Sequence, residues 1–465
     1  MVGITSYGAY IPFLRLDKAA LRAKGEKAVA NFDEDSITMA VAAGVDCVEG
    51  FDSTGINGLF LATTTSPYKE KQAAATVALA MDLPSEIRTA DFGGSLRAGT
   101  AALGSAIDGI QSGSMKSVMV IASDCRMGSP KSQYEQLVGD GAAALLLGDS
   151  GVIASVEGSY SISNEILDVW RKDGDPFIKW WEDRFILSQG YQEVVQRCVS
   201  GLMQKYGVTA KDFTKVILYA PNPRVPVGLA KRLGFDIENQ VQDPLLMMVG
   251  NTGAASVMMM LVSALEEAKV GDRFLVISYG DGCDSYIFRA TEKIKDLKER
   301  RGVKGHITSK QVLSSYEKYD MLRHLTPVEG NPMVQHMLAS AVAIWRERKK
   351  NIAFYGKKCK QCGTPQYPPQ RICTVCQSKD EMEDYRFSDK KGKVFTYTWT
   401  AAAPVGDPPL VYAIVDFEGG GRIFTEMTDR DLSKLEVGMP VEMTFRKMQI
   451  PGAFHDYFWK CRPLR

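Results

Sequence analysis

Histidine is nearly missing from this chain of 465 residues: there are four, His306, His324, His336 and His455, and none before position 306. Over that stretch imidazole serves neither as a proton shuttle nor as a metal ligand. Long apolar runs are lacking too. None approaches the roughly 18–20 residues of a membrane-spanning helix. The opening MVGITSYGAYIPF has no charged segment ahead of an apolar one, so no secretory signal is expected and the location read from the sequence is cytoplasmic. Nor does one charge dominate: 56 Lys and Arg face 55 Asp and Glu, which removes any global field aimed at nucleic acid or an acidic partner. The balance is uneven, with net −5 over 1–345 and +6 over 346–465. Five of the nine cysteines (Cys47, Cys125, Cys198, Cys283 and Cys461) stand singly, a dispersed remainder that excludes a disulfide framework.

What remains is a globular composition, 45% hydrophobic and 24% charged, with length for two or three domains. Short apolar runs read as strands: GLFLATT (58–64), SVMVIAS (117–123), AAALLLGD (142–149), KVILYAP (215–221) and RFLVISY (273–279). Between them lie helical patterns, several closed by Gly, so the rhythm predicts a layered α/β architecture. Each half has a strand, a small-residue helix (97–112 or 252–268) and a strand beside GD or GDG, which reads as an internal repeat. The expected halves are 1–165 and 166–290, followed by a helical linker over 291–345 in which MLRHL and MVQHMLASAVAIW carry helical spacing.

From 346 onward the texture changes. KKCKQCGTPQYPPQRICTVCQ sets Cys359-x2-Cys362 and Cys373-x2-Cys376 ten residues apart, four thiolates at tetrahedral reach of a structural Zn²⁺. Four sulfurs leave no open coordination position, so the ion is expected to fold a ribbon (346–385) and perform no chemistry. Short strands with Gly and Pro turns then predict an OB-fold barrel over 386–465. Phe395, Tyr397 and Trp399 share one face by two-residue alternation and are expected in its core rather than as a base-stacking surface.

Three segments of the first 290 residues look chemical. DFGGSLRAGTAALGSA (91–106) is a strand end, a glycine turn and a helix with Ser95 and Leu96 at its start, where free N–H groups favour an anion. GNTGAAS (250–256) sets Asn251, a donor for a developing oxyanion, at the mouth of an apolar helix. LYAPNPRVPVGLAKRLG (218–234) carries Arg224, Lys231 and Arg232 after a Pro-rich loop, as cations for phosphates. The bland alternative for each is tight helix–sheet packing with surface charge. Trp170, Trp180 and Trp181 are expected to pack within a helical hairpin.

Taken together, LRAGTAAL (96–103), VGDGAAALLLGD (138–149), VWRKDGDPF…WEDRFILSQGY (169–191), GNTGAAS (250–256) and GDRFLVISYGDG (271–282) resemble the thiolase superfamily, most closely its 3-hydroxy-3-methylglutaryl-CoA synthase branch. Residues 346–465 resemble the rubredoxin-like zinc ribbon and OB domain found beside thiolases. The resemblance implies a duplicated α/β/α/β/α fold, coenzyme A thioester binding and a homodimer. It also implies a Cys, His and Glu at the reaction centre, and here the chain departs. Leu96 stands where the nucleophilic Cys belongs, Tyr219 at the His, and Thr64 or Thr65 at the Glu, whereas Asn251 matches the oxyanion asparagine. Leu carries no acyl group, and Thr is a poor proton shuttle at neutral pH.

Covalent acyl-enzyme turnover is therefore not expected. Aldol or retro-aldol chemistry on a β-hydroxyacyl-CoA needs no acyl-enzyme, and thiolase-like steroid side-chain aldolases with ribbon/OB partners also lack the nucleophile. On this reading Tyr219 is the acid/base, Asn251 stabilises the enolate, and Ser95, Tyr279, Asp281, Cys283 and Asp284 are secondary candidates. The alternative is a non-catalytic acyl-CoA-binding or scaffold subunit working with a thiolase-type partner. Nucleic acid and membrane are not expected as partners.

Overall fold

A computed structural model describes residues 1–313, 315–326, 340–402, 406–448 and 454–465. His336 and the 327–339 part of the expected helical run lie outside the described residues. Two compact units emerge, one comprising 1–30, 35–75 and 83–316, the other 31–34, 76–82 and 317–465. Among the described residues no helix is long and apolar enough to cross a membrane.

The first unit is built on nine strands: β1 (Gly3–Tyr10), β2 (Gly58–Ala62), β3 (Arg88–Phe92), β4 (Ser117–Asp124), β5 (Gly141–Gly148), β6 (Ala154–Ser163), β7 (Lys215–Leu218), β8 (Arg273–Tyr279) and β9 (Gly282–Ala290). Their order across the ladder is β7-β8-β9-β6-β1-β5-β4-β2-β3. The expected duplication is visible in it. A parallel pair, β2 with β4 or β7 with β8, lies on either side of an antiparallel centre, and β1 joins β6 through Gly3 and Ile4. Every residue of β1 and β5 is buried, so neither needs polar alternation. Full burial of side chains such as Leu145, Leu147 and Ile4 contributes about 1.5–3 kcal/mol each.

Four helices bear on the site: α1 (Ser36–Cys47), α2 (Ala98–Gln111), α3 (Glu193–Tyr206) and α4 (Ser256–Leu265). Asp35 caps α1 by accepting from the Ile37 and Thr38 amides, while Thr38 returns a bond to the Asp35 amide. Helix α2 packs closely against the turn that leads into α4. A Cβ at Gly99 would lie 2.7 Å from the Ala254 carbonyl oxygen, a contact only glycine permits.

The second unit holds a small three-stranded sheet, β10 (Tyr355–Cys359), β11 (Pro365–Gln366) and β12 (Met382–Arg386), around the cysteine knuckles. A five-stranded antiparallel barrel sheet follows: β13 (Gly392–Thr400), β14 (Leu410–Phe417), β15 (Arg422–Glu426), β16 (Pro440–Met448) and β17 (Asp456–Pro463), in the order β15-β14-β13-β16-β17. Its core is Val394, Val411, Val415, Val441, Phe445 and Trp459. The expectation that Phe395 and Trp399 form that core is wrong: they are 50% and 59% exposed. Val394 takes the inward face, so its neighbour Phe395 points outward, where the Arg422 guanidinium lies 3.8 Å from its ring centre.

Ion pairs are buried in the same unit. Arg446 places Nη1 at 2.5 Å from Glu34 and 3.5 Å from Asp33, and Nη2 on Asp429. Lys460 reaches Asp33 at 3.0 Å and Glu426 at 2.5 Å, and Arg465 reaches Asp429 at 2.5 Å. Burial works against the Asp429 charge, yet Arg446, Arg465 and Arg462 hold its carboxyl well below the usual range.

Candidate functional site

The carboxyl ends of β2, β4, β7 and β8 converge with the start of α2 and the turn before α4, the end of such a sheet where ligands bind. β2 delivers Thr63, Thr64 and Thr65, and β4 delivers Asp124, Cys125 and Arg126. Asp124 is fully buried and saturated. One carboxylate oxygen accepts from the Thr63 hydroxyl (3.0 Å), the Thr64 amide (2.7 Å) and the Thr65 hydroxyl (3.1 Å). The other accepts from the Thr64 hydroxyl (2.9 Å) and the Ala254 amide (2.8 Å). The threonines at the expected Glu position thus present hydroxyls already committed to a neighbouring carboxylate. Arg171 donates to the Thr64 carbonyl and lies in the field of Asp124.

Tyr219 leaves the end of β7, and its hydroxyl accepts from Asn251 Nδ2 at 3.0 Å. The second Nδ2 proton goes to the Ala220 carbonyl at 3.2 Å, while Asn251 Oδ1 accepts from Arg126 Nη2 (3.1 Å) and from the Gly253 amide (2.9 Å). Asn251 is 1% exposed with every polar group engaged, so its protons serve Tyr219 first. Burial pushes the Tyr219 phenol up, and Arg126 and the Asn251 bond pull it back. Arg126 is buried, and its Nε has no hydrogen-bond partner. Sequence reasoning missed it, since nothing local marks an arginine after a strand as facing residues 219 and 251.

Beside this centre opens a cavity of about 360 Å³ lined by Lys18, Tyr134, Asp168, Trp180, Trp181, Tyr191, Pro221, Met247 and Tyr279 among others. Burial raises the Asp168 carboxyl to about 6; Tyr279 and Arg126 oppose the rise, and Asp281 adds to it. The Tyr279 hydroxyl is buried without a hydrogen-bond partner of good geometry, and Asp168 is the charge that acts on it most strongly. Burial lowers Lys18 to about 8, and its Nζ donates to the Leu246 carbonyl at 2.6 Å. The tryptophans depart from expectation. Trp170 and Trp180 lie on a two-stranded ribbon, 169–170 paired with 179–180, and Trp180 and Trp181 line the cavity rather than filling a helical hairpin.

The remaining candidates are placed as follows. Leu96 precedes α2, and a Cβ at Gly280 would lie 3.1 Å from its amide nitrogen, so the backbones of 96 and 280 are adjacent. Ser95 donates to the Gly280 carbonyl at 3.0 Å. Asp284 is held by Arg97 (2.9 Å) and the Thr100 hydroxyl (2.9 Å). Cys283 is fully buried against Cys198, its thiol pushed up by burial. Asp281 carries a positive φ of 49°. Arg224, Lys231 and Arg232 are exposed at the ends of the helix Val225–Arg232, outside the cavity lining, although the preceding Pro221–Pro223 belong to it. The first unit also extends past residue 290 and takes in His306, whose ring stands edge-on to Tyr10 at 5.1 Å.

The second unit holds the metal candidates as the spacing predicts. The four sulfurs of Cys359, Cys362, Cys373 and Cys376 lie within 4.8 Å of one another, with Cys359–Cys376 at 3.6 Å and Cys362–Cys373 at 3.5 Å. A tetrahedron with Zn–S near 2.3 Å has edges of about 3.8 Å, so the donor set fits structural zinc.

Comparisons agree with this division. Residues 203–288 match the family model of the 3-oxoacyl-[acyl-carrier-protein] synthase III C terminal, 346–383 the ChsH2 rubredoxin-like zinc ribbon domain, and 385–446 the ChsH2 C-terminal OB-fold domain. Hydroxymethylglutaryl-CoA synthase of Methanopyrus kandleri is 30% identical over 340 residues, covering 69% of this chain and 97% of the relative. That of Methanocaldococcus jannaschii is 30% identical over 342 residues, covering 70% and 99%. A solved HMG-CoA synthase complexed with CoA shares the fold at a TM-score of 0.64 and 18% identity, covering 73% of this chain and 92% of that one. A curacin-pathway HMG synthase in complex with holo donor-ACP shares it at 0.62 and 21% identity, covering 68% and 88%.

Proposed function

The chain belongs to the hydroxymethylglutaryl-CoA synthase family, and from that premise we propose that it binds an acyl-CoA and makes or breaks the Cα–Cβ bond of a β-hydroxyacyl-CoA without an acyl-enzyme. One observation carries the reading. Position 96 is hydrocarbon, while the phenol of Tyr219 is hydrogen-bonded to Asn251 and sits in the field of Arg126. A site so built moves a proton and holds an anion; it has no sulfur at the start of α2 to take an acyl group.

In the cleavage direction the base is the phenolate form of Tyr219, which burial disfavours and which Arg126 and the Asn251 bond support; it takes the β-hydroxyl proton. The Cα–Cβ electron pair moves onto the thioester as an enolate, leaving an aldehyde or ketone. Tyr219 then returns the proton it took to Cα, which releases the shortened acyl-CoA. The cavity has the size of small-ligand pockets. Lys18 and Lys24 at the cavity, and Arg224, Lys231 and Arg232 on the nearby helix, offer cations to the coenzyme's phosphates. The zinc ribbon, when metal is bound, contributes rigidity and no step. The edge strand β3 also favours a homodimer, tested by light scattering in solution.

The test is incubation of the full-length protein with a panel of β-hydroxyacyl-CoA thioesters, with detection of a released carbonyl compound and acyl-CoA. Tyr219→Phe is expected to lower the rate by about 10²–10⁴. No cleavage of any thioester until a thiolase-type protein is added would favour the scaffold reading. A stable acyl mass on Cys125, whose Sγ lies 3.7 Å from the Thr65 hydroxyl, would overturn the mechanism and restore a transferase.

A further inference from the structure

One buried nucleophile of the first unit takes no part in the cleavage step. Lys18 begins the single turn Lys18–Leu21, and its backbone is tied from both sides: its amide donates to the Gly25 carbonyl at 2.8 Å, and its carbonyl accepts from the Ala23 amide at 2.9 Å. This sets the side chain in the cavity wall, where the residue is 5% exposed. Its Nζ donates to the Leu246 carbonyl at 2.6 Å, and no carboxylate pairs with it among the described residues. A buried ammonium without a counter-ion carries a desolvation cost that the neutral amine escapes, and burial lowers the group to about 8. Near neutral pH about a tenth of it is therefore free amine, the form that attacks carbon. Lys24 lines the same cavity but is exposed and lacks that enclosure.

We propose that Lys18 is an imine-forming site for small aldehydes and ketones, the class of compound that carbon–carbon cleavage releases. Nζ of the neutral amine attacks the carbonyl carbon and passes a proton to the oxygen, giving a carbinolamine. The hydroxyl then leaves as water with the second Nζ proton, while the nitrogen lone pair closes the C=N bond. Water adds back to reverse the step, so no oxidant or reductant is consumed. Trp180, Trp181, Leu246 and Met247 form an apolar wall in the same cavity, suited to a carbonyl compound with a hydrocarbon substituent. The imine takes the place of a cation offered to the coenzyme's phosphates. Accumulated carbonyl product thereby holds off fresh acyl-CoA, a braking effect that rests on the function proposed above.

The experiment uses the full chain with butanal and sodium cyanoborohydride, which reduces an imine to a stable secondary amine; N-butyl lysines are mapped by peptide mass spectrometry. Lys18 is expected to be labelled at least about tenfold faster than Lys24, and added coenzyme A is expected to slow that labelling. The labelled wild type is expected to bind acetyl-CoA about tenfold more weakly than before treatment, whereas Lys18→Arg, checked by thermal melt, keeps its own affinity when treated alike. Labelling of Lys18 no faster than Lys24 in the wild-type chain overturns the proposal, whatever the variant does. Selective labelling of Lys18 that coenzyme A leaves unchanged keeps the imine site and removes the coenzyme from this cavity, so the two readings fail separately.

Discussion

Arg446→Ala isolates the buried charge cluster of the second unit. The wild-type guanidinium is 1% exposed and meets Glu34 at 2.5 Å, Asp33 at 3.5 Å and Asp429. Removing it strands carboxylates that are at most 2% exposed, with Lys460 and Arg465 left as partial compensation. Breaking a buried pair from one side costs about 3–5 kcal/mol, because the surviving charge stays desolvated. At 1.4 kcal/mol per decade this is a loss of about two to three and a half decades in protection against hydrogen exchange. The assay is exchange mass spectrometry on peptides from β16 and β17. Arg446→Lys keeps the charge but not the fork, so a smaller loss is expected. The acid dependence has a definite sign. Asp429 is held below its unfolded value of about 3.9, so its contribution is complete above that pH and disappears as pH falls below it. Wild type and variant should converge in acid. A loss under tenfold at neutral pH would refute the assignment of these pairs as interior.

Other outcomes follow from the same geometry. Cys373→Ser should cost the chain its zinc equivalent, read by a colorimetric metal assay, and melt the 346–385 ribbon, read by proteolysis. Gly99→Ala should destabilise the first unit by about 1–3 kcal/mol in urea titration, because its Cβ would press on the Ala254 carbonyl. Asp168→Asn should raise the melting temperature at pH 7.5 and leave it unchanged at pH 4. A carboxyl whose folded pKa is lifted to about 6 favours the folded state while protonated and withdraws that support as pH rises through about 4–6. Asn251→Ala should reduce cleavage and drop the melting point, since it strips hydrogen bonds from Tyr219 and Arg126 at once.

Much of the protein was legible in order. The runs at 117–123 and 273–279 became strands because a sheet buried on both faces demands continuous apolar residues, a local property. The cysteine knuckles were legible because two CxxC turns contain their own geometry. The hydrocarbon at 96 and the absence of histidine before 306 are facts of the sequence itself. Strand β1 was not legible, since GITSYGAY mixes glycine, serine and tyrosine and is a strand only because its neighbours β5 and β6 complete its ladder. Phe395 was misplaced because alternation alone does not say which face of a strand is buried, and here Val394 takes the inner one. The roles of Arg126 and Asp168 were decided by tertiary structure alone. Each acquires its neighbours from segments scores of residues away, and a pKa or a spent amide proton depends on burial and partners that no local pattern of side chains specifies.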